Sequence, residues 1–353
     1  MWKKQLWWTL LSVNTPFPFD KLAVLILSVK YYLSCDKVFK AKALVVLILV
    51  FAVISVSFIL NPNPNLLIFY PLLFSFLAII ASKVEIDLVM IQKALLLNIL
   101  FGITAAFFAT FGGIATIGSL SLLEKAMPFL YAPQGFSPTL QVYGTLCIVW
   151  LLIALDLNQK KKILFYVVLF SSVLTFNRAT WVFLFLLLCV YYTRYAIILL
   201  FVSFSILFCS SDIYNILFST ATLSSRDELR VGAELSYWNS PDFFIHLWGR
   251  GTHLTSAEIA KWTLWGRQYI ENGWDFIFHT YGILGFCIYN FFVFSLLYTI
   301  YKRRSYKLLL PVLYYYFIEQ RFTNEFLASS FCFFTLSILL LSRQNSDNVL
   351  TVK

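Results

Sequence analysis

The chain has 353 residues, 60% of them hydrophobic and only 12% charged, with a formal net charge of +10 and a mean hydropathy of +0.79. A soluble domain carries about 25% charged residues, so composition excludes that class. Apolar runs of about 18 residues or more recur from end to end without period-two alternation, which predicts spanning helices and excludes a porin-like barrel.

The charged loops predict the topology, because Lys and Arg collect on the cytoplasmic side. The basic excess is therefore read as orientation and not as nucleic-acid binding. Residues 5–34 are either one kinked span or a hairpin broken at Thr15-Pro16-Phe17-Pro18; paired prolines break helices, and Lys3 and Lys4 favour the hairpin. The basic start lacks a small-residue cleavage site, so a retained first span is expected. Asp36 to Lys42, with three lysines, is inside; Asn61 to Asn65, uncharged, is outside; Ser82 to Lys93 is inside; Gly113 to Pro138 is outside. Lys160, Lys161 and Lys162 are inside, Asn177 and Arg178 form a tight outside turn, and Arg194 is inside. A polar island, 210–275, is then outside; Lys302 to Lys307 are inside, Glu319 to Glu325 outside, and the tail after Arg343 inside.

This alternation is unbroken. It predicts an all-α polytopic membrane protein of about eleven or twelve spans: helices over 1–209, one large loop over 210–275, and C-terminal spans plus a tail over 276–353. The expected spans are roughly 43–60, 66–81, 94–112, 139–156, 163–176, 180–193, 195–209, 276–300, 308–318 and 326–342. The six cysteines form no CxxC pair and read as small buried hydrophobes. No His and carboxylate spacing resembles a metal site, and His279 reads as a packed polar residue. Aromatic residues near span ends read as an interfacial belt, with sugar contact as the rival for Trp238, Trp248, Trp265 and Trp274.

The outward-facing charges carry the candidate chemistry. Arg178, between two apolar spans, is either a snorkelling anchor or the partner of an anion. Arg226 and Arg230 are four apart and share a helix face, which suits pyrophosphate through bidentate guanidinium contacts; local pairing with Asp227, Glu228 and Glu234 is the alternative. Trp248-Gly249-Arg250-Gly251-Thr252-His253 allows a tight turn with close backbone approach. It is neither a Walker motif nor a dinucleotide fingerprint. Glu271, just before Asn272 at the head of the next span, is either a solvated helix-start acid or a general base whose pKa partial burial raises.

In this order and spacing the residues resemble the O-antigen polymerase and O-antigen ligase superfamily of integral membrane glycosyltransferases, over about 163–300. Asn177-Arg178-Ala179-Thr180-Trp181 is similar to the family's T-F-S-R turn, with Asn in place of Ser. Arg226, followed by Pro241 and Gly249-Arg250-Gly251, is similar to its arginine ahead of P…G-x-G. Glu271-Asn272 ahead of Gly282 and Gly285 is similar to its H-N…G-x-x-G. Ligases usually carry His where this chain has Glu271, which favours polymerase.

The resemblance implies a GT-C-like fold in the bacterial inner membrane with the active site facing the periplasm. It implies transfer of a glycan from undecaprenyl pyrophosphate to a sugar hydroxyl of another lipid-linked repeat unit. It casts Arg178, Arg226 and Glu271 as catalytic, and Arg230, Arg250, His253 and Asn272 as substrate-binding. No metal or other cofactor is expected, since guanidinium groups meet the developing pyrophosphate charge. The implied partners are the lipid-linked oligosaccharides, the bilayer, a chain-length regulator and a flippase. Ligation to a lipid A core and transport of a lipid-linked oligosaccharide are the alternatives; a transporter would carry its charges within spans rather than in one outer loop.

Overall fold

The computed structural model describes residues 2–13, 19–60, 66–84, 86–114, 116–122, 127–159, 163–192, 238–249 and 272–351. They are mostly helical: α1 (Trp2–Leu11), α2 (Phe19–Ser34), α3 (Lys37–Leu60), a 3-10 turn (Leu66–Phe69) running into α4 (Tyr70–Ala81), α5 (Leu88–Gly112), α6 (Leu140–Asp156), α7 (Ile163–Val173), α8 (Arg178–Tyr191), α9 (Phe243–Trp248) and α10 (Gly273–Lys302). A bent segment follows, α-helical over Leu309–Leu313, π-helical over Tyr314–Glu319 and α-helical again over Gln320–Phe322, and α11 (Ser329–Thr351) closes the order. The expected span 195–209 lies outside the described residues.

Three of these helices, α3, α5 and α10, are long and apolar enough to cross a membrane. On α3, Leu44, Val45, Val46, Ile48, Leu49 and Phe51 are exposed. Each such side chain left in water forfeits about 1.5–3 kcal/mol of burial, so the helix requires an apolar surrounding. Within 5–34 the described residues form two helices, α1 and α2, which pack on each other, and the Trp8 indole donates to the Tyr31 hydroxyl at 3.0 Å; the break expected at Thr15-Pro16-Phe17-Pro18 lies outside the described residues. The core is centred on α6, which is buried on every face from Gln141 to Leu155 and packs against α5, α7, α8 and α11.

Gly113 to Pro138, expected as an outer connection, contains a short antiparallel hairpin, β1 (Ser119–Leu122) with β2 (Met127–Pro133). It lies along α5. Tyr131 N–H donates to Thr110 Oγ1 at 3.1 Å, and Phe136 N–H donates to Asn98 Oδ1 at 2.7 Å. Backbone beside an apolar helix has no water to bond, so the hairpin and the α5 side chains supply its partners. Asn98 uses its other end on the Ser12 carbonyl, at 2.7 Å, which joins α1 to the same seam.

Polar contacts gather at two ends of the bundle, and the charge alternation sorts them the same way. At one end, segments assigned inside meet: Arg343 donates to the Ser82 carbonyl at 3.5 Å, Arg303 to Ser342 Oγ at 2.8 Å, and Tyr191 to Asp156 at 3.1 Å. At the other end, the start of α6, the Asn177 turn, the start of α10 and residues 319–325, all assigned outside, touch one another.

Helix α10 is broken at Gly282, whose φ of 64° and ψ of −161° are not helical. Beyond the break, residues 283–302 form about 30 Å of helix, one hydrocarbon thickness. Before it, residues 273–281 are held at both ends: Gly273 N–H donates to the Thr323 carbonyl, in a segment assigned outside, at 3.1 Å, and the Tyr281 hydroxyl donates to the Ile68 carbonyl, at the start of the expected span 66–81, at 2.5 Å. The break is built on glycine against glycine. A Cβ at Gly282 would lie 2.6 Å from the Gly249 nitrogen, and one at Gly249 would lie 2.5 Å from the Thr280 carbonyl oxygen. Gly249 also has positive φ, 83°, so both positions exclude a side chain by conformation and by space.

Gly282→Ala is therefore expected to destabilise the detergent-solubilised protein by about 1–3 kcal/mol, read as a lowered melting temperature. Gly112→Ala is the control. A Cβ there meets nothing within 4 Å, and the melting temperature should hold or rise.

Candidate functional site

Arg178 is the first residue of α8, and the turn before it is tightly specified. Phe176 has a left-handed φ of 48°, rare for a bulky residue. Asn177 caps the helix: its Oδ1 accepts from the Ala179 and Thr180 amides at 2.9 and 3.2 Å, the preferred N-cap arrangement. The Trp181 indole reaches back to the Val173 carbonyl at 2.9 Å. Helix α6 lies close enough that a Cβ on Gly144 would overlap Thr180 Oγ1. A cation at a helix N-terminus, on a turn fixed this way, is suited to an anion.

The turn at the head of α10 is built alike. Asn272 Oδ1 accepts from the Trp274 and Asp275 amides at 2.9 and 3.3 Å. Asn272, expected to bind substrate, thus uses that oxygen as a helix cap. A Cβ at Gly273 would fall 2.7 Å from the Phe326 ring and 3.0 Å from the Gln320 carbonyl oxygen.

Residues 314–325 join the two turns. The Tyr314 hydroxyl donates to the Ala179 carbonyl at 2.8 Å, and the Thr323 carbonyl accepts from Gly273. The joining segment carries Glu319 and Glu325, both with no exposed surface. The sequence places these acids in an outer loop; the structure folds them into the bundle. Glu325 collects three donors: Thr145 Oγ1 at 2.6 Å on one oxygen, and the Tyr315 hydroxyl at 3.0 Å and Ser330 Oγ at 2.7 Å on the other. Glu319 is poorly served. Gln141 Nε2 and Thr145 Oγ1 each lie 3.4 Å from its Oε1, and its Oε2 has no partner among the described residues. Thr145 has a single hydroxyl proton, and the short bond to Glu325 takes it, which leaves Glu319 the Gln141 amide.

Burial pushes the pKa of both carboxyls up, and the neighbouring Glu325 charge pushes Glu319 further. Hydrogen bonds from Thr145, Ser330 and Tyr315 partly offset the rise at Glu325. Of the two, Glu325 with its three donors is the better placed to carry charge, and Glu319 is the one more strongly biased toward its neutral form. Between the two acids Arg321 stands exposed.

The other expected site residues, Arg226, Arg230, Arg250, His253 and Glu271, lie outside the described residues. Among the described residues no three His, Cys, Asp or Glu side chains are grouped to hold a metal. Of the sugar-contact candidates, Trp238 is exposed and rests on His246 and Phe278, whereas Trp274 packs against Phe286, Tyr289 and Phe317; Trp265 is outside the described residues. The acids at 319 and 325 were the residues that sequence reasoning passed over. Their signal was two acids six residues apart between apolar stretches. No family model matches the chain, and neither a curated protein nor a solved structure is similar to it.

A carboxyl whose folded pKa is raised binds extra proton in the folded state. Stability is then fully present below the unfolded value near 4.5 and is lost as pH rises through the folded one. The melting temperature in detergent should fall as pH rises above that value, and Glu319→Gln should flatten the decline. An equal slope in the variant would place the responsible groups elsewhere.

Proposed function

We propose that the chain is a membrane-embedded glycosyltransferase that polymerises a surface polysaccharide of the O-antigen type. About eleven or twelve spans, a GT-C-like arrangement, the bacterial inner membrane and a periplasm-facing site belong to this reading. What carries it is a single observation. Two turns of the family-like pattern, at Arg178 and at Asn272, stand at one end of the bundle, joined through residues 314–325. The pairing of Gly249 with Gly282, both parts of that pattern, supports it further.

In the reaction, the hydroxyl oxygen of a lipid-linked repeat unit attacks the anomeric carbon of the donor glycan. The bond from that carbon to the pyrophosphate oxygen breaks, and undecaprenyl pyrophosphate leaves. Attack from the face opposite the leaving group inverts the anomeric centre. Arg178, with Arg226 or Arg230, opposes the charge that grows on the pyrophosphate. Such preorganised groups act most strongly where water is excluded. Glu271 takes the acceptor proton, and Arg250, His253 and Asn272 line the substrate path. A flippase supplies the substrate and a chain-length regulator limits the product.

Arg178→Ala is expected to cut polymer formation by on the order of 100-fold or more with the protein level in membranes unchanged. A normal ladder of chain lengths on a lipopolysaccharide gel would sink the assignment. On the same gel, a deletion strain should show core bearing one repeat unit. A bare core with accumulated lipid-linked polymer would instead identify a ligase, and an unchanged ladder would end the reading.

For the base, Glu271→Gln should lose on the order of 100-fold or more in rate, while Glu271→Asp keeps part of it. Wild-type rate in the Gln variant removes Glu271 from the chemistry.

A further inference from the structure

Three side chains link the buried acid pair to the Arg178 turn, and their hydrogen-bonding direction is fixed from one end. Asn177 commits Oδ1 to the α8 cap, so its Nδ2 is what faces α6. That group donates to Gln141 Oε1 at 3.4 Å. Gln141 must then turn its own Nε2 the other way, where Glu319 Oε1 accepts it at 3.4 Å. With the cap oxygen in place, each amide has a single workable orientation, and the residue at the far end has to be an acceptor.

Glu319 meets that requirement at some expense to the fold. Among the described residues it is buried with one long hydrogen bond and an unpartnered oxygen, a state that a leucine of similar bulk would avoid. The same π-helical segment grips the turn a second time, through the Tyr314 hydroxyl on the Ala179 carbonyl. π-Helical turns are frequent at functional sites. The turn itself is strained at Phe176, and such strain persists only where the surroundings over-determine it.

We infer that Glu319 is a positioning residue which, through Gln141 and Asn177, sets the turn that presents Arg178 to an anionic leaving group. The inference rests on the polymerase reading for the identity of that group, and on geometry alone for the link. Glu319 touches no substrate. It sets where the guanidinium starts, and a displacement of the order of 1 Å at a catalytic group is enough to lose about 100-fold in rate.

The test uses the full chain in its membrane with a lipid-linked repeat unit as substrate. Glu319→Leu removes the terminal acceptor. Asn177→Asp keeps a capping oxygen and removes the donor to Gln141. Each variant should lower kcat by on the order of 10- to 100-fold with KM for the donor little changed and membrane levels equal to wild type. The double variant should be no worse than the weaker single one, because both cut the same chain. Glu319→Gln, which keeps an acceptor oxygen, should recover most of the rate. Additive losses, or a wild-type rate in Glu319→Leu, overturn the inference.

A second readout does not depend on the reaction. In Arg178→Cys, labelling by a membrane-impermeant maleimide, measured as the increment over the parent protein, should change in rate when Glu319→Leu is added. If Arg178→Ala leaves polymer normal, the polymerase reading fails while this labelling still decides the link. A changed rate supports it and an unchanged rate overturns it.

Discussion

A carboxylate with no water around it must be surrounded by donors, and Glu325 draws them from three directions. Thr145 comes from α6, Tyr315 from the π-helical turn and Ser330 from α11. Removing any one leaves a buried carboxyl short of a partner, a penalty of about 1–3 kcal/mol. That requirement holds the head of α6 against the C-terminal segment, and what depends on it is local geometry at the Asn177 and Asn272 turns. The Ala179 carbonyl, the Gln141 side chain and the Gly273 amide all bond residues within 314–325. Charge burial here acts as a locating device more than as a source of stability.

The same apolar composition serves two opposite purposes in this bundle. From Ala43 onward α3 reads as hydrophobic as α6 does, yet α3 turns most of its side chains outward and α6 leaves none exposed. Dispersion and packing hold α6 on all sides, whereas α3 meets its partners along a narrow strip that includes Ile54 and Ser57. Hydropathy measures willingness to leave water, and it is silent on whether lipid or protein takes water's place. The hairpin along α5 adds a third case, in which backbone at the flank of an apolar helix is made tolerable by Thr110 and Asn98.

Much of the helical framework was legible in the sequence. Apolar runs at 66–81 and 139–156 match a helical stretch at Leu66–Ala81 and α6 at Leu140–Asp156 almost to the residue. The lysine-bearing connections identified segments that do meet at one end. Arg178 stands out in the sequence because a lone arginine between apolar helices is conspicuous, and Gly249 because glycine at a turn announces close backbone approach; that its neighbour is Gly282 is seen only in the fold. Depth was not legible. Glu319 and Glu325 sit in a polar stretch, and polarity along a chain argues for solvent. Their burial depends on Thr145 and Ser330 arriving from 174–180 residues before and 5 residues after, which no local pattern encodes. Gly282 was readable as a special position, but not as a break dividing a surface piece from a spanning piece. The arginines of the large loop and Glu271 fall outside the described residues.

The complete burial of α6 bears on how such a chain is made. Synthesis runs from the N-terminus, so α6 leaves the ribosome long before Tyr315, Glu325 and Ser330 exist. In that interval Gln141 and Thr145 have none of their final partners from the C-terminal segment, and the helix that ends as the centre of the bundle stands at its edge. The acid pair arrives already needing those two side chains, and they in turn have been waiting for an acceptor. Assembly of this end is therefore a late, concerted event: the nascent chain cannot complete its interior in the order in which it is translated.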